Sequence, residues 1–276
     1  MAIRKNAKFL TAAEQEAFVK ACVLMKADIV NTGAPAAQQY TPSAAKPSAP
    51  DDLSGRLHRQ LIGVLGLALP FMLWVIDGIR TYDAATRWRP QDSISAYYYT
   101  GAVAAFVGLL VALALFLLTY RGYANERHWA DRAVGVTAGL AALGVAFFPT
   151  TAPNDALKLP WWSTLDRDLH YAFATILFAM FAVFSLWLFR KSTSGSAMPR
   201  DKQWRNAFYT LCGLVIVAGM LWAGIAGVKG QPIFWPESLA LVFFAASWLI
   251  KGEAPTTIAE GVRKIRRKMK GAHETF

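Results

Sequence analysis

The stretch Ala102–Thr119 has the sequence AVAAFVGLLVALALFLLT and contains no Asp, Glu, Lys or Arg. Three later stretches are equally free of charge: Ala133–Phe148, Tyr171–Phe189 and Ala207–Val228. A helix of roughly 20 apolar residues matches the hydrocarbon core of a bilayer, which is about 30 Å thick. Helices of soluble domains instead keep one polar face. The sequence therefore predicts a multi-pass membrane protein.

Six transmembrane helices account best for the apolar pattern. Continuous apolar runs favour helices, because the strands of a membrane barrel alternate apolar and polar residues. The last span carries Glu237, but the tight link through Gly230 and Pro232 makes it the return leg of a hairpin with the fifth. The predicted spans are Leu57–Ile79, Thr100–Tyr120, Ala130–Phe148, Leu169–Phe189, Ala207–Val228 and Ile233–Ile250. The predicted fold class is all-α, a polytopic six-helix bundle with amphipathic helices at both termini.

Lys and Arg residues are unevenly divided between the two sides that six spans define. The side with both termini carries 23 of the 29, and the opposite side carries 6. Because loops rich in Lys and Arg stay in the cytoplasm, both termini are predicted to be cytoplasmic, in the plasma (bacterial inner) membrane. The net charge of +11 follows mainly from this bias, so we predict membrane lipids as partners and no nucleic acid.

The N-terminal part divides into a helix and a tether ahead of the membrane domain at 55–252. In residues 1–30, Thr11 and Glu14 have capping-box spacing. The helix that follows carries one apolar stripe, so it is a candidate docking site for a protein partner. Residues 31–54 are rich in Ala, Pro, Ser and Gln, which predicts a flexible linker.

The C-terminal tail, residues 253–276, is predicted to form a basic amphipathic helix. Its apolar stripe contains Ile258, Val262, Ile265 and Met269. The basic residues that favour binding to an anionic lipid surface are Arg263, Lys264, Arg266, Arg267, Lys268 and Lys270. The alternative is that these charges serve only to hold the tail on the cytoplasmic side.

Polar residues that are candidates for function gather on the predicted outer side. They are Asp77, Asp92, Ser93, Ser95, Tyr98, His170 and Glu237. An ionisable residue at membrane depth is costly and is by default a functional candidate. A structural role as helix caps and as an aromatic belt is the alternative for most of the group, but not for His170 or Glu237. We predict that His170, Glu237, Asp92 and Ser95 converge in one pocket.

A structural ion pair is predicted on the inner side. Arg121 follows the second span and Asp131 opens the third, so a short loop can bring their charges together. We expect the pair to hold this hairpin in place without a chemical role.

Several motifs in residues 55–252 resemble a group of bacterial multi-pass membrane proteins of unknown function. The motifs are Asp92–Thr100 (DSISAYYYT), Tyr120–Tyr123 (YRGY), Phe148–Thr151 (FPTT), His170, Trp235–Glu237 (WPE) and Ser247–Gly252 (SWLIKG). The arrangement is distantly similar to the DRAM/FRAG group of six-span proteins. The resemblance implies a six-helix membrane fold with a shared outer polar patch.

A second resemblance covers about the first 30 residues. Arg4–Glu14 (RKNAKFLTAAE) and Phe18 look like the opening helix of bacterial tyrosinases, which bind two coppers through histidines. The chain has four histidines, and none precedes His58. We therefore predict neither a copper site nor any other metal or cofactor.

Two classes of function, and a third option, remain open from the sequence. The first is a non-enzymatic protein that binds lipid or a partner through an extracytoplasmic polar pocket. The second resembles the membrane-embedded ceramidase-type hydrolases, although catalytic zinc normally takes three protein ligands and His170 is the only outer histidine. The third is a proton-coupled transporter that uses Glu237 and His170. Neither internal repeats nor Gly/Pro-broken spans in matching halves support it.

Overall fold

The computed structural model describes residues 50–122, 128–153, 157, 159–190 and 200–258. The chain divides into two units, Met1–Ser48 and Ala49–Phe276, and all described residues belong to the second. The predicted N-terminal helix lies outside them, as do the six basic residues of the tail. Residues 254–258 are helical, so the described part of the tail agrees with a helix.

One α-helix coincides with each predicted span. The helices are α1 (Pro50–Arg80), α2 (Val103–Thr119), α3 (His128–Phe147), α4 (Thr164–Val183), α5 (Arg200–Val228) and α6 (Phe234–Lys251). No strand occurs in the described ranges, so the all-α prediction is confirmed there. α1 begins at Pro50, inside the segment predicted as linker. Proline is well tolerated at this place, since the first turn of a helix does not need its N–H group.

Four helical segments are long and apolar enough to cross a membrane. They are Ser54–Arg80, Trp129–Phe147, Thr164–Leu188 and Lys202–Val228. α2 is shorter, with 17 residues, and α6 has 18 residues that include Glu237 and Lys251. Length and composition therefore mark four of the six helices as candidate spans.

Large apolar side chains are exposed along the flanks of the helices. More than half of the side chain is exposed at Phe71 of α1, Leu115 of α2, Leu140 of α3, Leu165 of α4 and Leu221 of α5, and Leu239 of α6 is 39 % exposed. A monomer in water rarely exposes so much apolar surface. The interior is apolar as well, with Phe106, Leu113, Phe181 and Phe244 fully buried.

Neighbouring helices along the chain pack against each other, and α6 closes the arrangement by packing on α1 as well as α5. The α1–α6 contact is close at Gly63, where a Cβ atom would lie 2.8 Å from Leu249 Cγ and 3.0 Å from the Ala245 carbonyl oxygen. Small residues let the backbones of membrane helices approach in this way.

α4 continues into a π-helical turn at Phe184–Leu188. The fully buried Ser185 in this turn donates a hydrogen bond to Ser247 Oγ of α6 at 3.0 Å. Ser247 in turn donates to the Phe244 carbonyl oxygen at 2.7 Å. π-turns inside α-helices are frequent at functional sites. Here the turn joins α4 and α6 through two hydroxyl groups.

The two ends of the bundle differ in their residues. We call one the His170 end, where the connections 81–102, 148–163 and 229–233 meet. We call the other the Lys251 end, where α2, α4 and α6 finish.

Candidate functional site

The connection from α1 to α2 folds back over the end of α1 before it enters the bundle. The Arg87 Nε group donates to the Gly78 carbonyl oxygen at 2.9 Å, and Trp74 Nε1 donates to the Trp88 carbonyl oxygen at 2.9 Å. Gly78 permits this contact, since a Cβ atom there would lie 2.4 Å from the Trp88 ring. The backbone of Trp88 has φ +92°. These contacts direct the chain into the short 3-10 helix Ser95–Tyr99.

Ser95 and His170 form the centre of the site. His170 is 2 % exposed and Ser95 is 9 % exposed. The His170 Nε2 atom lies 2.8 Å from Ser95 Oγ, and its Nδ1 atom lies 2.6 Å from the Phe148 carbonyl oxygen. Because a carbonyl oxygen only accepts hydrogen bonds, we assign the proton to Nδ1. In the neutral ring, Nε2 then accepts a hydrogen bond from the Ser95 hydroxyl.

Glu237 binds the same segment of chain from the first turn of α6. Its Oε2 atom accepts a hydrogen bond from the Ile94 backbone N–H at 2.7 Å. The Asp92 carbonyl oxygen accepts from the N–H groups of Ile233 at 2.6 Å and of Phe234 at 2.9 Å. The first N–H groups of a helix have no partner inside it. Residues 92–94 therefore cap the first turn of α6: the Asp92 carbonyl oxygen accepts from its N–H groups, and Glu237 of α6 accepts from the Ile94 N–H.

A cavity of about 30 Å³ lies between these groups. Ser95 and Glu237 contribute the hydroxyl and the carboxyl group of its wall. Apolar side chains of α1, α2, α3, α4 and α6 form the rest: Leu69, Phe106, Leu110, Leu113, Val145, Ala174, Leu177, Phe178, Phe181 and Leu241, with Ile94 from the connection. The cavity is therefore apolar except where Ser95 and Glu237 meet it.

A second polar group lies beside the first. Asp77, which is buried, accepts a hydrogen bond from Gln91 Nε2 at 2.9 Å, and the Gln91 backbone N–H reaches the Tyr97 hydroxyl at 3.4 Å. Burial raises the pKa of Tyr97 to about 12, and the nearby Asp77 charge also raises it. The Tyr97 hydroxyl therefore stays protonated at neutral pH.

Three of the predicted site residues make local contacts instead. The Asp92 side chain is exposed, and only its carbonyl oxygen takes part in the site. Ser93 Oγ accepts from the Ala96 N–H at 3.0 Å, a contact within the same turn. Tyr98 is partly buried and packs edge-on against Tyr99 and Phe106. The structure thus brings Ser95, His170 and Glu237 together, and it places Asp92, Ser93 and Tyr98 around them. A functional role for the group stays a prediction.

A family model covers most of the helical unit. The model of a family of unknown function, DUF7103, matches residues 68–252. The chain belongs to this family. No curated protein and no solved structure matches the chain. Membership in DUF7103 agrees with the predicted resemblance to a group without a known function, whereas the relations to the DRAM/FRAG group and to the tyrosinase opening helix stay predictions.

The DUF7103 match ends at Gly252, beside the charged residues of the Lys251 end. Asp131 is 4 % exposed there, and its negative charge attracts the Lys251 ammonium group. Arg121 is exposed. Between the two, Gly122 has φ +73°, and a Cβ atom on it would lie 2.4 Å from the Asp131 Cβ. Asp131 is thus buried against the backbone at Gly122. The ion pair between Arg121 and Asp131 stays a prediction.

No group of three His, Cys, Asp or Glu side chains in the described part of the DUF7103 chain is arranged to hold a metal ion. His58 lies at the Lys251 end, where its Nε2 atom is 2.8 Å from the Phe116 carbonyl oxygen. It is therefore at the opposite end of the bundle from His170.

Sequence reasoning missed three polar residues that the structure of this DUF7103 chain uses. Gln91 joins Asp77 to Tyr97, and Ser185 and Ser247 form the buried pair between α4 and α6. Both serines interrupt apolar runs, and small polar residues at such positions often lie at helix interfaces. That pattern could have indicated Ser185 and Ser247, whereas nothing in the sequence distinguishes Gln91.

Proposed function

We propose that this chain is a six-span protein of the bacterial inner membrane that binds a lipid or a partner protein at the surface over the polar cluster of its His170 end. One observation carries the proposal. Ser95, His170 and Glu237 come from three separate segments and meet at one end of a bundle whose flanks expose large apolar side chains. Polar groups at membrane depth are costly, so their assembly at one place favours a function.

The two shorter helices are proposed to cross the membrane with the other four. α2 packs between α1 and α3, and α6 packs on α1 and α5. Each is therefore flanked by helices of full spanning length. The 17 residues of α2 extend about 26 Å at 1.5 Å per residue, which lies within the range of membrane helices.

The His170 end is proposed to face away from the cytoplasm. α1 begins and α6 ends at the Lys251 end, and the sequence segments that join this end carry most of the Lys and Arg residues, so the positive-inside rule places the cytoplasm there. Fusions to alkaline phosphatase test this orientation. A fusion after Asp155 is expected to be active and one after Ser194 inactive, and the reverse pattern would show an inverted topology.

Exposed aromatic side chains at the His170 end supply a surface for recognition. Tyr82, Trp88, Trp161 and Trp235 are each at least half exposed, and the exposed Asp92 carboxylate lies on the same connection as Trp88. Tyr and Trp are favoured both at membrane boundaries and in protein interfaces. The cavity of about 30 Å³ is far smaller than a ligand pocket, which is typically about 300–1,000 Å³. We therefore propose that the ligand contacts this surface and not the cavity.

Co-purification in detergent tests the binding function. Native mass spectrometry of the full chain is expected to detect a bound lipid or a partner. Trp235→Ala should reduce its occupancy about tenfold, because truncating an aromatic anchor of an interface costs more than about 1 kcal/mol. Trp204→Ala is the matched control, since it removes a similarly exposed tryptophan at the Lys251 end. Equal occupancy in both variants would contradict the proposal.

Nothing in the described part of the chain favours the hydrolase alternative. A catalytic zinc ion needs about three protein ligands, and no such set of side chains is arranged there.

A further inference from the structure

The cavity at the His170 end has the size of a water site and two polar side chains in its wall. A water molecule needs about 10–15 Å³ of such space and two to four polar partners, and the cavity measures about 30 Å³. The Glu237 carboxyl group and the Ser95 hydroxyl both line it. One Glu237 oxygen is held by the Ile94 N–H at 2.7 Å, and a carboxylate accepts several hydrogen bonds.

We propose that this cavity binds one or two water molecules that join Glu237 to Ser95, so that Glu237, water, Ser95 and His170 form a proton relay. The last link is already made, because Ser95 Oγ lies 2.8 Å from His170 Nε2. A hydroxyl group both donates and accepts, and the Ser95 hydroxyl therefore passes a proton on in either direction. The inference does not depend on which lipid or partner the proposed function involves.

The transfer is balanced in protons and charge. The Glu237 carboxylic acid gives its proton to the water, the water gives one to Ser95 Oγ, and Ser95 gives its own to His170 Nε2. The products are a carboxylate and an imidazolium, with neutral water and serine unchanged. His170 Nδ1 keeps its own proton throughout and donates it in a hydrogen bond to the Phe148 carbonyl oxygen. The reverse sequence restores the two neutral groups.

The relay ends inside the bundle. Below Ser95 and Glu237, the cavity wall consists of Leu110, Leu113, Phe181 and Leu241, which cannot carry a proton. Other titratable side chains also lie at this end of the bundle. Within the described residues they are Asp77, Arg80, Tyr82, Asp83, Arg87, Arg89, Asp92, Tyr97, Tyr98, Tyr99, Asp166, Arg167, Asp168, Tyr171 and Lys229. The relay is therefore a buried site of proton binding and not a path across the bundle.

Nucleophilic catalysis by Ser95 is less well supported than proton transfer. A serine that donates to a histidine fixed by a third group is the arrangement of a nucleophile and its base. An acyl group does not fit in about 30 Å³, however, since ligand pockets are roughly ten times larger. The neighbouring N–H groups that would stabilise an oxyanion are occupied, that of Ile94 by Glu237 and that of Ala96 by Ser93.

Histidine-labelled full-length protein in detergent tests the relay by NMR. The chain has four histidines, and His170→Gln identifies the signal of His170. Glu237→Gln keeps an acceptor for the Ile94 N–H but removes the carboxylate. Since a nearby negative charge favours imidazolium, the midpoint of the His170 titration is expected to fall by about one pH unit. Glu253→Gln, at the Lys251 end, is the matched control and should leave the midpoint unchanged.

A second arm separates the relay from direct attraction between the two charges. Ser95→Ala removes the hydroxyl that connects the groups, so transfer of NMR magnetisation from water to the His170 ring should fall to less than half, whereas direct attraction alone would leave this transfer unchanged. An unchanged transfer in Ser95→Ala, or no titration shift in Glu237→Gln, would overturn the proposal. Transfer of NMR magnetisation from water to the His170 ring in the unaltered protein needs no variant. Its detection is expected, and its absence would also overturn the proposal.

Discussion

The two ends of this bundle use polar residues in opposite ways. At the His170 end, the Ser95 hydroxyl and the Glu237 carboxyl group line a cavity, and the His170 imidazole binds Ser95. At the Lys251 end, cations bind the carbonyl groups with which helices finish. Lys251 Nζ donates to the Phe189 carbonyl oxygen at 3.2 Å, and Arg205 donates to that of Ile250 at 3.3 Å. Cations are favourable at helix C-termini because they satisfy the last carbonyl groups and complement the helix dipole.

The packing beneath each end differs as well. Under Lys251, the rings of Phe189 and Tyr209 lie 5.4 and 5.8 Å from its ammonium nitrogen. Trp248 is fully buried there and contacts Tyr120 and Phe184 edge-on. The comparison teaches that charged side chains can serve to bind the last carbonyl groups of helices, as at the Lys251 end, whereas at the His170 end polar side chains line a cavity and bind each other.

The largest expected effect is at the Lys251 end. Trp248→Ala should lower the free energy of unfolding by about 3–5 kcal/mol, because it removes a large buried side chain and leaves a cavity. Denaturation in mixed micelles measures this change. Trp235→Ala is the control, since Trp235 is 63 % exposed and its loss should cost little. Equal losses from the two variants would show that the aromatic packing does not stabilise this end.

The next effect is at the His170 end, and it compares two substitutions of one residue. Glu237→Ala leaves the Ile94 N–H without its acceptor, which should lower the free energy of unfolding by about 1–3 kcal/mol. Glu237→Gln retains an acceptor oxygen and should cost clearly less. The same denaturation experiment compares them. If both variants lose the same amount, the hydrogen bond to Ile94 does not hold α6 to the connection.

A smaller effect is expected about one helical turn inside the Lys251 end. Ser185→Ala or Ser247→Ala should each lower the free energy of unfolding by about 0.5–1.5 kcal/mol, and hydrogen bonds between membrane helices are often near the lower value. Because the two hydroxyl groups bind each other, the double variant should lose less than the two single losses added. Strict additivity in this double-mutant cycle would argue against a shared interaction.

The smallest effect concerns exposed charges. Arg56 and Glu253 form an ion pair at 3.2 Å at the Lys251 end, and both are more than a third exposed. Alanine substitutions should reveal a coupling of only about 0–1 kcal/mol, and added salt should weaken it. The exposed pair of Arg167 and Asp168 at the His170 end should behave alike. A coupling at one end that resists salt would show that exposure does not control these pairs.

Much of the helical framework could be predicted from the sequence. The six predicted spans coincide with the six helices, since run length and the absence of charge are local properties. Ser95, His170 and Glu237 could be singled out because polar residues near an apolar span are conspicuous. The grouping of Asp92, Ser93 and Tyr98 with them was less informative, because their side chains serve the local turn and its packing.

Other features required the folded chain. Arg121 and Asp131 are close in sequence, yet Asp131 is buried and Arg121 is exposed. Loop length alone does not decide which side chain turns inward. The lipid-binding role of Arg263 and its basic neighbours lies outside the described residues and stays a prediction.

By itself, the sequence determined where the described part of the chain forms apolar helices, and it predicts a bias of basic residues towards one side. Each of these properties depends on a window of about 20 residues. Only the tertiary structure decided the site, because its contacts join residues far apart in the chain. Ser95 and His170 are separated by 75 positions, and Ile94 and Glu237 by 143. The rotation of each helix about its axis selects which polar side chain faces the interior, and that rotation is set by packing between helices.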